Sequence, residues 1–374
     1  MTDEQGIVFR GPGAPLVPEP LRLDPPGPGE VRVRIVASGV CRSDLHVVDG
    51  DWERPAGVVL GHEGAGIVEA LGPGVPERPA DRPAGSGGLR TGDLVVLAWT
   101  APCATCPACR RLEPWLCATP RGGTHRTEPE LVRLRRPDGS PVGVYSGVGT
   151  HATAQVVDAA AAIAVDPGTP PDVAALIGCA ATTGVGAVRW TAGVRAGERV
   201  AILGMGGVGL SALLAAIAAG AEVTAVDPVP EKRARARALG AVDAVDPGDD
   251  AHLARLGRPF DHVLECIGLA SAVEGALRLV RPGGTVTVVG MPPQGVTAAV
   301  ELYSFVVDGI RLLGSNYGSL VPERDLPEIA ADVVTGRLPL GRLIDAHLPL
   351  AALPDALAAM RRGEGARRIL LPGG

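Results

Sequence analysis

The sequence predicts an α/β protein in which a β-rich region is interrupted by a parallel sheet covered by helices. From residue 198 to about residue 290, short apolar strands alternate with helical stretches, a pattern typical of parallel βαβ units. Before residue 172, short β-rich runs alternate with loops rich in proline and glycine. With 374 residues, 46% of them hydrophobic, the chain is long enough for two domains.

The first region contains three segments that read as strands because they are β-rich or apolar and are bounded by turn signals: 30–40, 64–71 and 93–99. A Pro/Gly-rich segment without periodicity, 72–93, is predicted to be an exposed loop. A second irregular stretch, 119–141, is polar and rich in helix breakers. We therefore expect a β-rich domain with long connections.

The second region begins with a helical stretch near residue 172 and continues with the alternating pattern. Its predicted strands are 199–203, 222–227, 261–268 and 284–290, and its predicted helices are 208–220 and 230–240. The tail contains two helical stretches and a final strand, 326–336, 353–363 and 367–372. We place the first domain at 1–180, the inserted domain at 181–316, and the return to the first domain at 317–374.

Composition excludes some functions. A net charge of −6 argues against the clustered positive charge of a nucleic-acid-binding surface. The most apolar segment, 208–221, is shorter than the roughly 20 residues that a helix needs to cross a bilayer. The N-terminus has acidic residues where a secretory signal would have basic ones. We expect a cytoplasmic protein, whose cysteines are free thiols or metal ligands.

A dinucleotide-binding motif follows the first strand of the parallel sheet. The segment GMGGVG, 204–209, places Gly204, Gly206 and Gly209 as G-x-G-x-x-G between a strand and a helix, with Gly207 and Val208 in the same turn. Asp227 ends the next strand, where its carboxylate can bind ribose hydroxyls and repel a 2′-phosphate. These features favour NAD over NADP, although Arg233 and Arg235 lie near Asp227. The alternative is a glycine-rich turn that binds no ligand.

Four of the seven cysteines lie within fifteen residues, as Cys103, Cys106, Cys109 and Cys117. The C-x2-C steps let neighbouring thiolates converge on one tetrahedral ion, and four sulfur ligands leave no position open for water. The pattern therefore predicts a structural zinc site. An iron–sulfur cluster is the main alternative, and four unliganded thiols are a further one.

The segment GVCRSDLH, 39–46, and the segment GHEGAG, 61–66, concentrate residues that catalytic sites use. A catalytic zinc ion needs three protein ligands and one open position. Cys41, His62 and Cys179 are of suitable types, but a lone histidine is more often structural, and spacing alone does not bring these three residues together.

The sequence resembles the zinc-dependent medium-chain alcohol dehydrogenases, and in particular their dimeric members with two zinc ions. The likeness extends through nearly the whole chain. It is carried in order by GVCRSDLH (39–46), GHEGAGIV (61–68), the four-cysteine segment, GCAATTGVGA (178–187), GMGGVGLS (204–211) and VDPVPEKRARARALGA (226–241). The resemblance implies a GroES-like β-rich catalytic domain with an inserted Rossmann domain that binds NAD.

The resemblance also implies roles for individual residues. Cys41, His62 and Cys179 match the catalytic zinc ligands, Glu63 matches an acidic residue that can approach the metal, and Asp44 matches a carboxylate that orients the ligating imidazole. The remaining matches are Ser43 and His46 in a proton relay, Arg42 and Arg367 at the cofactor pyrophosphate, Thr183 beside the nicotinamide, and Trp52, Trp99 and Met291 along the substrate channel.

The function implied is hydride transfer between a primary alcohol, possibly aromatic or bulky, and NAD, with one catalytic and one structural zinc ion per chain. Two alternatives stay open: a reductase of an iminium or activated double bond on this scaffold, and a non-catalytic nucleotide-binding relative. Segment 119–141 resembles a loop of dimeric members, which favours a homodimer. The loop at 76–90 is longer than is usual in the family.

Overall fold

The structure is a computed structural model that describes residues 1–120, 125–128 and 130–373. The chain forms two compact units. The first unit comprises residues 1–179, 321–337 and 344–374, and the second comprises residues 180–320 and 338–343. The sequence-based boundaries at 180 and 316 did not include the short segment 338–343 in the inserted part.

The strands are numbered along the chain. They are β1 (Thr2–Phe9), β2 (Pro18–Leu23), β3 (Glu30–Gly39), β4 (Val58–Val59), β5 (Gly64–Leu71), β6 (Leu94–Leu97), β7 (His125–Arg126), β8 (Leu134–Arg135), β9 (Pro141–Tyr145), β10 (Ala154–Asp158), β11 (Ala162–Ala164), β12 (Arg199–Leu203), β13 (Glu222–Val226), β14 (Asp243–Val245), β15 (Phe260–Glu265), β16 (Val280–Val288), β17 (Arg311–Gly314), β18 (Ile344–Pro349) and β19 (Arg367–Leu371).

The α-helices are numbered in the same way. They are α1 (Arg42–Asp49), α2 (Pro107–Arg110), α3 (Pro171–Ile177), α4 (Ala180–Gly186), α5 (Gly207–Ala218), α6 (Pro230–Ala238), α7 (Asp250–Leu256), α8 (Ala270–Leu279), α9 (Leu302–Val307), α10 (Pro322–Val334) and α11 (Leu353–Arg361). Helix α4 continues as a stretch of π-helix, Ala187–Ala192.

The first unit contains two sheets. In one, the order is β4-β1-β2-β8-β9-β7, and a further pairing of β4 with β9 closes five of these strands into a ring. The other has the order β11-β6-β5-β3-β19-β18, with β10 also paired to β3. Strand β3 is central to this second sheet: its apolar residues Val31, Val33 and Ile35 are almost fully buried. The alternation of buried and less buried positions along β3 is what the period of a pleated strand requires.

The second unit is built on one parallel sheet with the order β14-β13-β12-β15-β16-β17. Its strands are short and apolar, and in β12 the four residues after Arg199 are all buried. Helices α5, α6 and α8 pack on these strands. The predicted fold class, a β-rich region with an inserted parallel α/β sheet, is confirmed.

Most residues of the Pro/Gly-rich loop, 72–93, are exposed as predicted, but a few are buried. Arg78 and Leu89 within it are only 7% and 5% exposed. The Arg78 side chain pairs with Asp93 and donates to the Arg82 carbonyl, and the backbone N–H of Arg78 donates to the carbonyl of Leu89. One buried guanidinium thus ties the two ends of the loop together, which the lack of periodicity could not reveal.

Among the described residues, no single helix has both the length and the apolar character needed to cross a membrane. Only the bent pair formed by α3 and the helical stretch Ala180–Ala192 reaches that length and composition, and only when both parts are counted together.

The glycine motif of the second unit allows a test of the local packing. An alanine Cβ at position 209 would lie 1.8 Å from the carbonyl oxygen of Gly204, whereas a Cβ at position 206 would meet nothing within 4 Å. We expect Gly209→Ala to lower the free energy of unfolding of the second unit by about 1–3 kcal/mol, because backbone must move to accommodate the methyl group. Thermal unfolding would measure this change. Gly206→Ala is the matched control, and equal losses in both variants would contradict the packing argument.

Candidate active site

Three segments distant in the sequence meet where β3 ends and β5 begins, in the sheet of the first unit that contains both strands. Strands β3 and β5 are antiparallel, and Ser38 near the end of β3 pairs with Gly64 at the start of β5. Cys41 follows β3 and His62 precedes β5, so both lie at these strand ends. Cys179 comes two residues after α3, which packs on both strands. The ligand atoms of Cys41, His62 and Cys179 all lie within 4.8 Å of one another, and all three residues are buried.

Glycines beside these residues make the close approach possible. A Cβ at Gly39 would lie 2.6 Å from the carboxyl carbon of Glu63. A Cβ at Gly178 would lie 3.1 Å from the carbonyl oxygen of Leu97 and 3.2 Å from the nitrogen of Gly64. The glycines that precede Cys41 and Cys179 therefore clear the space in which the three segments converge.

The Asp44 carboxylate orients the imidazole of His62. Cys41 is the N-cap of α1, and its backbone N–H donates to Asp44 Oδ2 at 3.2 Å, as in a capping box. The other carboxylate oxygen, Oδ1, lies 3.0 Å from His62 Nδ1. Since Nδ1 is held by the carboxylate, Nε2 is the nitrogen free to bind a metal ion. Asp44 is completely buried, so no water competes for this bond.

The three residues are strongly coupled electrostatically. Hydrogen bonding from the Cys179 thiol, together with the charge of His62, holds the pKa of Cys41 well below its usual range. Burial by itself would lower the pKa of His62, but the negative charges of Asp44 and the two cysteines raise it well above the usual value. Hydrogen bonding to Cys41 and burial raise the pKa of Cys179 well above its usual range, so a thiolate, a thiol and an imidazole face one another, and they can hold a divalent metal ion once they are deprotonated.

Glu63 does not belong to this group of three. Its carboxylate is fully buried and lies 3.3 Å from Nη1 of Arg367, which also donates to the carbonyl of Val40. Burial raises the pKa of Glu63 to about 8, although Arg367 opposes the shift. The structure therefore places Glu63 beside the three candidate ligands, with its carboxyl group against the guanidinium of buried Arg367.

Ser43 and His46 project from one side of α1, three residues apart. The Ser43 hydroxyl lies 3.2 Å from Cys41 Sγ and 3.3 Å from His62 Nε2, next to the candidate ligands. His46 Nδ1 lies 2.7 Å from Asp51 Oδ2, and the imidazole stacks on the ring of Trp52 with centroids 4.9 Å apart. Sequence reasoning did not identify Asp51, which carries no motif and follows the helix by two residues.

Tyr145 and His151 are two further residues near His62 that sequence reasoning missed. The Tyr145 ring meets the His62 ring edge-on at 5.8 Å between centroids. His151 Nε2 lies 3.8 Å from Asp44 Oδ2. Both residues lie in or beside apolar strand-like sequence, where their types give no signal of a site.

The other residues that the sequence assigned to the cofactor and the substrate have varied surroundings. Trp52 is part of the buried apolar cluster around α1 and α11, and Trp99 packs against the cluster of the central sheet. In the second unit, Met291 is 59% exposed and Thr183 is partly buried in α4. Arg42 is exposed on the first turn of α1.

The four-cysteine segment forms a second candidate metal site. The sulfur atoms of Cys103 and Cys109 are 3.9 Å apart, as are those of Cys106 and Cys117, and all four lie within 4.8 Å of one another. Four thiolates bound tetrahedrally at about 2.3 Å to one zinc ion have sulfur–sulfur separations of about 3.8 Å. The spacing thus fits a single ion.

Hydrogen bonds from the same segment reach the sulfur atoms and favour the thiolate form of Cys103. The backbone N–H of Cys106 donates to Cys103 Sγ at 3.2 Å, and that of Cys103 donates to Cys117 Sγ at 3.4 Å. Hydrogen bonds from the hydroxyl groups of Thr105 and Thr119 and from the backbone lower the pKa of Cys103 to about 5. Burial and hydrogen bonding to its neighbours instead raise the pKa of Cys109 to about 12, so Cys103 is favoured as a thiolate whereas Cys109 would have to lose its proton when a metal ion binds.

The glycine motif connects β12 to α5 in the second unit. Gly204 has a φ of +92°, which favours glycine, and Gly206 is the N-cap of α5. The Asp227 carboxylate accepts from the N–H of Met205 at 2.8 Å and from that of Val229 at 2.9 Å. Asp227 therefore links the end of β13 to the glycine turn, where a dinucleotide would meet the helix N-terminus.

Comparisons with known proteins agree with this architecture. A family model described as alcohol dehydrogenase GroES-like domain matches residues 27–167, and one described as zinc-binding dehydrogenase matches residues 207–335. Geraniol dehydrogenase of Castellaniella defragrans is 34% identical over 98% of this chain and 97% of its own length.

Two more relatives span similar lengths. NDMA-dependent alcohol dehydrogenase of Amycolatopsis methanolica is 30% identical, with 98% of each chain covered. The crystal structure of benzyl alcohol dehydrogenase from Acinetobacter calcoaceticus superimposes with a TM-score of 0.88 at 28% identity, covering 99% of both chains. The chain belongs to the zinc-dependent medium-chain alcohol dehydrogenase family and is an alcohol oxidoreductase that uses NAD(P).

Proposed function

We propose that Cys41, His62 and Cys179 bind a catalytic zinc ion and that the protein oxidises primary alcohols with NAD. The observation that carries the proposal is the convergence of two sulfurs and one imidazole nitrogen within 4.8 Å, with the Ser43 hydroxyl beside them. Two cysteines and one histidine form the ligand set that catalytic zinc has in alcohol dehydrogenases, with a fourth position left for substrate.

The residues around this set have distinct tasks. When bound, zinc lowers the pKa of a substrate hydroxyl and polarises a carbonyl group. The Ser43 hydroxyl lies against two of the proposed ligands, so it is proposed to take the substrate proton while it gives its own hydroxyl proton to the relay. His46 is on the same face of α1, and Asp51 and Trp52 hold its ring, so it is proposed as the far end of the relay, which runs through the ribose of the cofactor. Asp44 keeps the ligating nitrogen of His62 directed at the metal.

The four cysteines of the second cluster bind a structural zinc ion in this proposal, which gives two zinc ions per chain. Their sulfur spacing supports one ion rather than a multi-iron cluster, whose thiolate ligands are spread over several metal atoms. Among the His, Cys, Asp and Glu side chains of the described residues, only these four cysteines form the group, and four sulfur ligands leave no position open for a substrate. We therefore assign the site to folding of the segment and not to catalysis.

NAD is the proposed cofactor of the second unit, which we assign as the nucleotide-binding domain. The first unit is then the catalytic domain. The glycine motif, Gly204 to Gly209, would receive the pyrophosphate, and Asp227 the adenosine ribose. Arg233, a possible partner for a 2′-phosphate, is engaged with the carbonyl of Asp227 at 2.7 Å and with Asp246 at 2.9 Å. Arg42 and Arg367 are proposed for the pyrophosphate and Thr183 for the nicotinamide.

The proposed substrates are primary alcohols whose hydroxyl carbon adjoins a π system. The relatives named for geraniol and benzyl alcohol act on an allylic and a benzylic alcohol. Trp52 and Trp99 are proposed as aromatic walls of the substrate channel, together with Met291. Trp52 stacks on the relay histidine, so an apolar substrate held against it would have its hydroxyl group close to the relay.

We also propose that the protein is a homodimer that associates through the edge strand β17. All four residues of β17 are exposed, whereas at the opposite edge two of the three residues of β14 are buried. The neighbouring helix α9 exposes Leu302, Tyr303, Val306 and Val307, each by at least 65%. An exposed apolar edge strand is a ready template for pairing with another chain, and a second copy supplies an identical strand.

A cytoplasmic location is the proposed setting. The seven cysteines are unpaired thiols, and four of them are arranged as metal ligands. Such an arrangement persists where thiols are kept reduced.

Replacing one ligand tests the central proposal. In Cys41→Ser, we expect the zinc content to fall from about two ions per chain to about one, because only the three-residue site is damaged. Turnover of benzyl alcohol and geraniol with added NAD should fall at least about a hundredfold, as several kcal/mol of charge stabilisation are lost. Metal analysis and NADH absorbance measure these changes.

Cys266→Ser is the matched control for that experiment, since Cys266 belongs to neither cluster; it should keep both metal ions and the activity. Assays with and without added NAD show whether the nucleotide exchanges. Loss of neither metal nor turnover in Cys41→Ser would refute the ligand assignment.

The preference for NAD depends on the charge of Asp227. In Asp227→Asn, the ratio of kcat/KM for NAD to that for NADP should fall by about tenfold or more, because the repulsion of a 2′-phosphate is removed. The asparagine side-chain oxygen can still accept one of the two backbone hydrogen bonds, so the fold should persist. Steady-state kinetics with both cofactors measure the ratio, and an unchanged ratio would show that Asp227 does not select the cofactor.

The proposed dimer predicts the effect of a charge at the edge strand. Leu313→Lys should shift the mass measured by light scattering from two chains towards one, since a buried, unpaired charge opposes association. Val242→Lys is the control: Val242 is 66% exposed in the same unit but lies outside β17 and α9. A native protein that is monomeric at micromolar concentration would exclude the dimer.

A further inference from the structure

A chain of buried polar side chains extends behind the proposed catalytic zinc site. Ser38, Thr150 and His151 are all completely buried, and none belongs to the motifs that identify the site. The hydroxyl oxygens of Thr150 and Ser38 are 2.7 Å apart, and Ser38 Oγ lies 2.9 Å from His151 Nδ1. On its other side, His151 Nε2 faces Asp44 Oδ2 at 3.8 Å. The chain therefore ends at the carboxylate that orients His62.

His151 is held rigidly in this position by backbone contacts. Its N–H donates to the carbonyl of Leu60 at 2.9 Å, and the N–H of Thr150 donates to the carbonyl of Gly61 at 3.0 Å. A Cβ at Gly61 would lie 2.6 Å from His151 Nδ1. The glycine before His62 thus makes room for the second imidazole, and the two histidine segments run side by side.

The Nε2 atom of His151 has no hydrogen-bond partner in the part of the chain that the structure describes. A buried polar nitrogen without a partner is costly, and here the nearest charged group is Asp44. Burial lowers the pKa of His151, so the ring is neutral and carries one proton. With that proton on Nε2, the N–H dipole points at a buried anion, and Nδ1 accepts from the Ser38 hydroxyl. The opposite tautomer would direct a lone pair at the carboxylate.

We propose that His151 is a positioning residue of the metal site. Its Nε2–H stabilises the buried Asp44 anion and restrains the carboxylate rotation that would weaken the bond from Oδ1 to His62 Nδ1. His151 thus acts through Asp44 on the metal affinity of His62. This inference rests on the proposed assignment of Cys41, His62 and Cys179 as zinc ligands.

The test compares variants that distinguish the contact of His151 Nε2 with Asp44 from the contact of His151 Nδ1 with Ser38. His151→Phe keeps a ring but removes the donor, His151→Gln restores a donor at similar reach, and Ser38→Ala removes only the contact on the far side. The apparent dissociation constant of zinc is measured by chelator competition. The four-cysteine site serves as an internal reference, because it lies outside this chain of contacts.

We expect His151→Phe to weaken zinc binding at the three-residue site by about tenfold, at the lower end of the effect of residues behind metal ligands. The four-cysteine site should keep its zinc. His151→Gln should recover most of the affinity, and Ser38→Ala should resemble the native protein. The visible spectrum of the cobalt-substituted enzyme should shift in His151→Phe and return in His151→Gln, since it reports ligand geometry.

Other outcomes decide against the inference. Equal zinc affinity in native and His151→Phe proteins would refute it, and so would equal weakening in His151→Phe and Ser38→Ala, which would indicate a packing role. If His151→Phe does not fold, His151→Met, with a flexible apolar side chain, takes its place in the same comparison. A native protein that binds no zinc at Cys41, His62 and Cys179 would instead refute the proposed function, so the two failures are distinguishable.

Discussion

The bond between the Asp44 carboxylate and the His62 imidazole is the interaction on which the geometry of the candidate site depends. Asp44 is at the third position of α1, where its second oxygen also accepts the N–H of Cys41. One side chain thus sets both the start of the helix that carries Ser43 and His46 and the orientation of a candidate ligand from another segment. Because the carboxylate is fully buried, loss of either partner would leave a buried charge less compensated.

The sheet explains why these segments can meet. Antiparallel pairing of β3 with β5 brings the end of one strand to the start of the other, and β19 pairs with β3 at Ser38 and Gly39. Arg367 is the first residue of β19, so its guanidinium lies at the same ends of these strands. There it contacts the carboxyl group of Glu63. Because the residues at these strand ends are glycines, side chains of the neighbouring segments can occupy the space that their own Cβ atoms would fill. Register and small residues together produce a compact polar cluster inside an apolar domain.

Much of the fold could be predicted from the sequence, because it rests on local patterns. The apolar strands β12 and β13 alternate along the chain with helices, as in parallel βαβ units. Strand β5 has the same bounds as the strand predicted at 64–71. The burial of Arg78 could not be predicted, because its partner Asp93 is fifteen residues away in a segment without periodicity.

The candidate site could be predicted from the sequence only in part, because some of its residues are neighbours in the sequence and others are far apart in it. The four clustered cysteines have spacing that itself implies convergence, whereas Cys41, His62 and Cys179 are brought together by strand register and by α3, which spacing does not encode. Only the resemblance to a family singled them out. Asp51 and His151 have no motif around them, and their relevance follows solely from distances to His46 and Asp44.

The two cysteine clusters differ in ways that follow from their surroundings. In the four-cysteine segment, backbone N–H groups and threonine hydroxyls donate to sulfur. The turn between Cys103 and Cys106 contains Ala104, which has a left-handed backbone conformation with a φ of 60°. Such a segment has little apolar core, so a bound ion would supply much of its stability. The buried cluster of Cys41, His62 and Cys179 lies instead at the ends of strands of a well-packed sheet. Because packing already holds the three side chains close together, the proposed zinc ion could keep one position open there, with the Ser43 hydroxyl beside it. The proposed catalytic role of one cluster and the proposed structural role of the other would therefore follow from where the fold places each set of sulfurs.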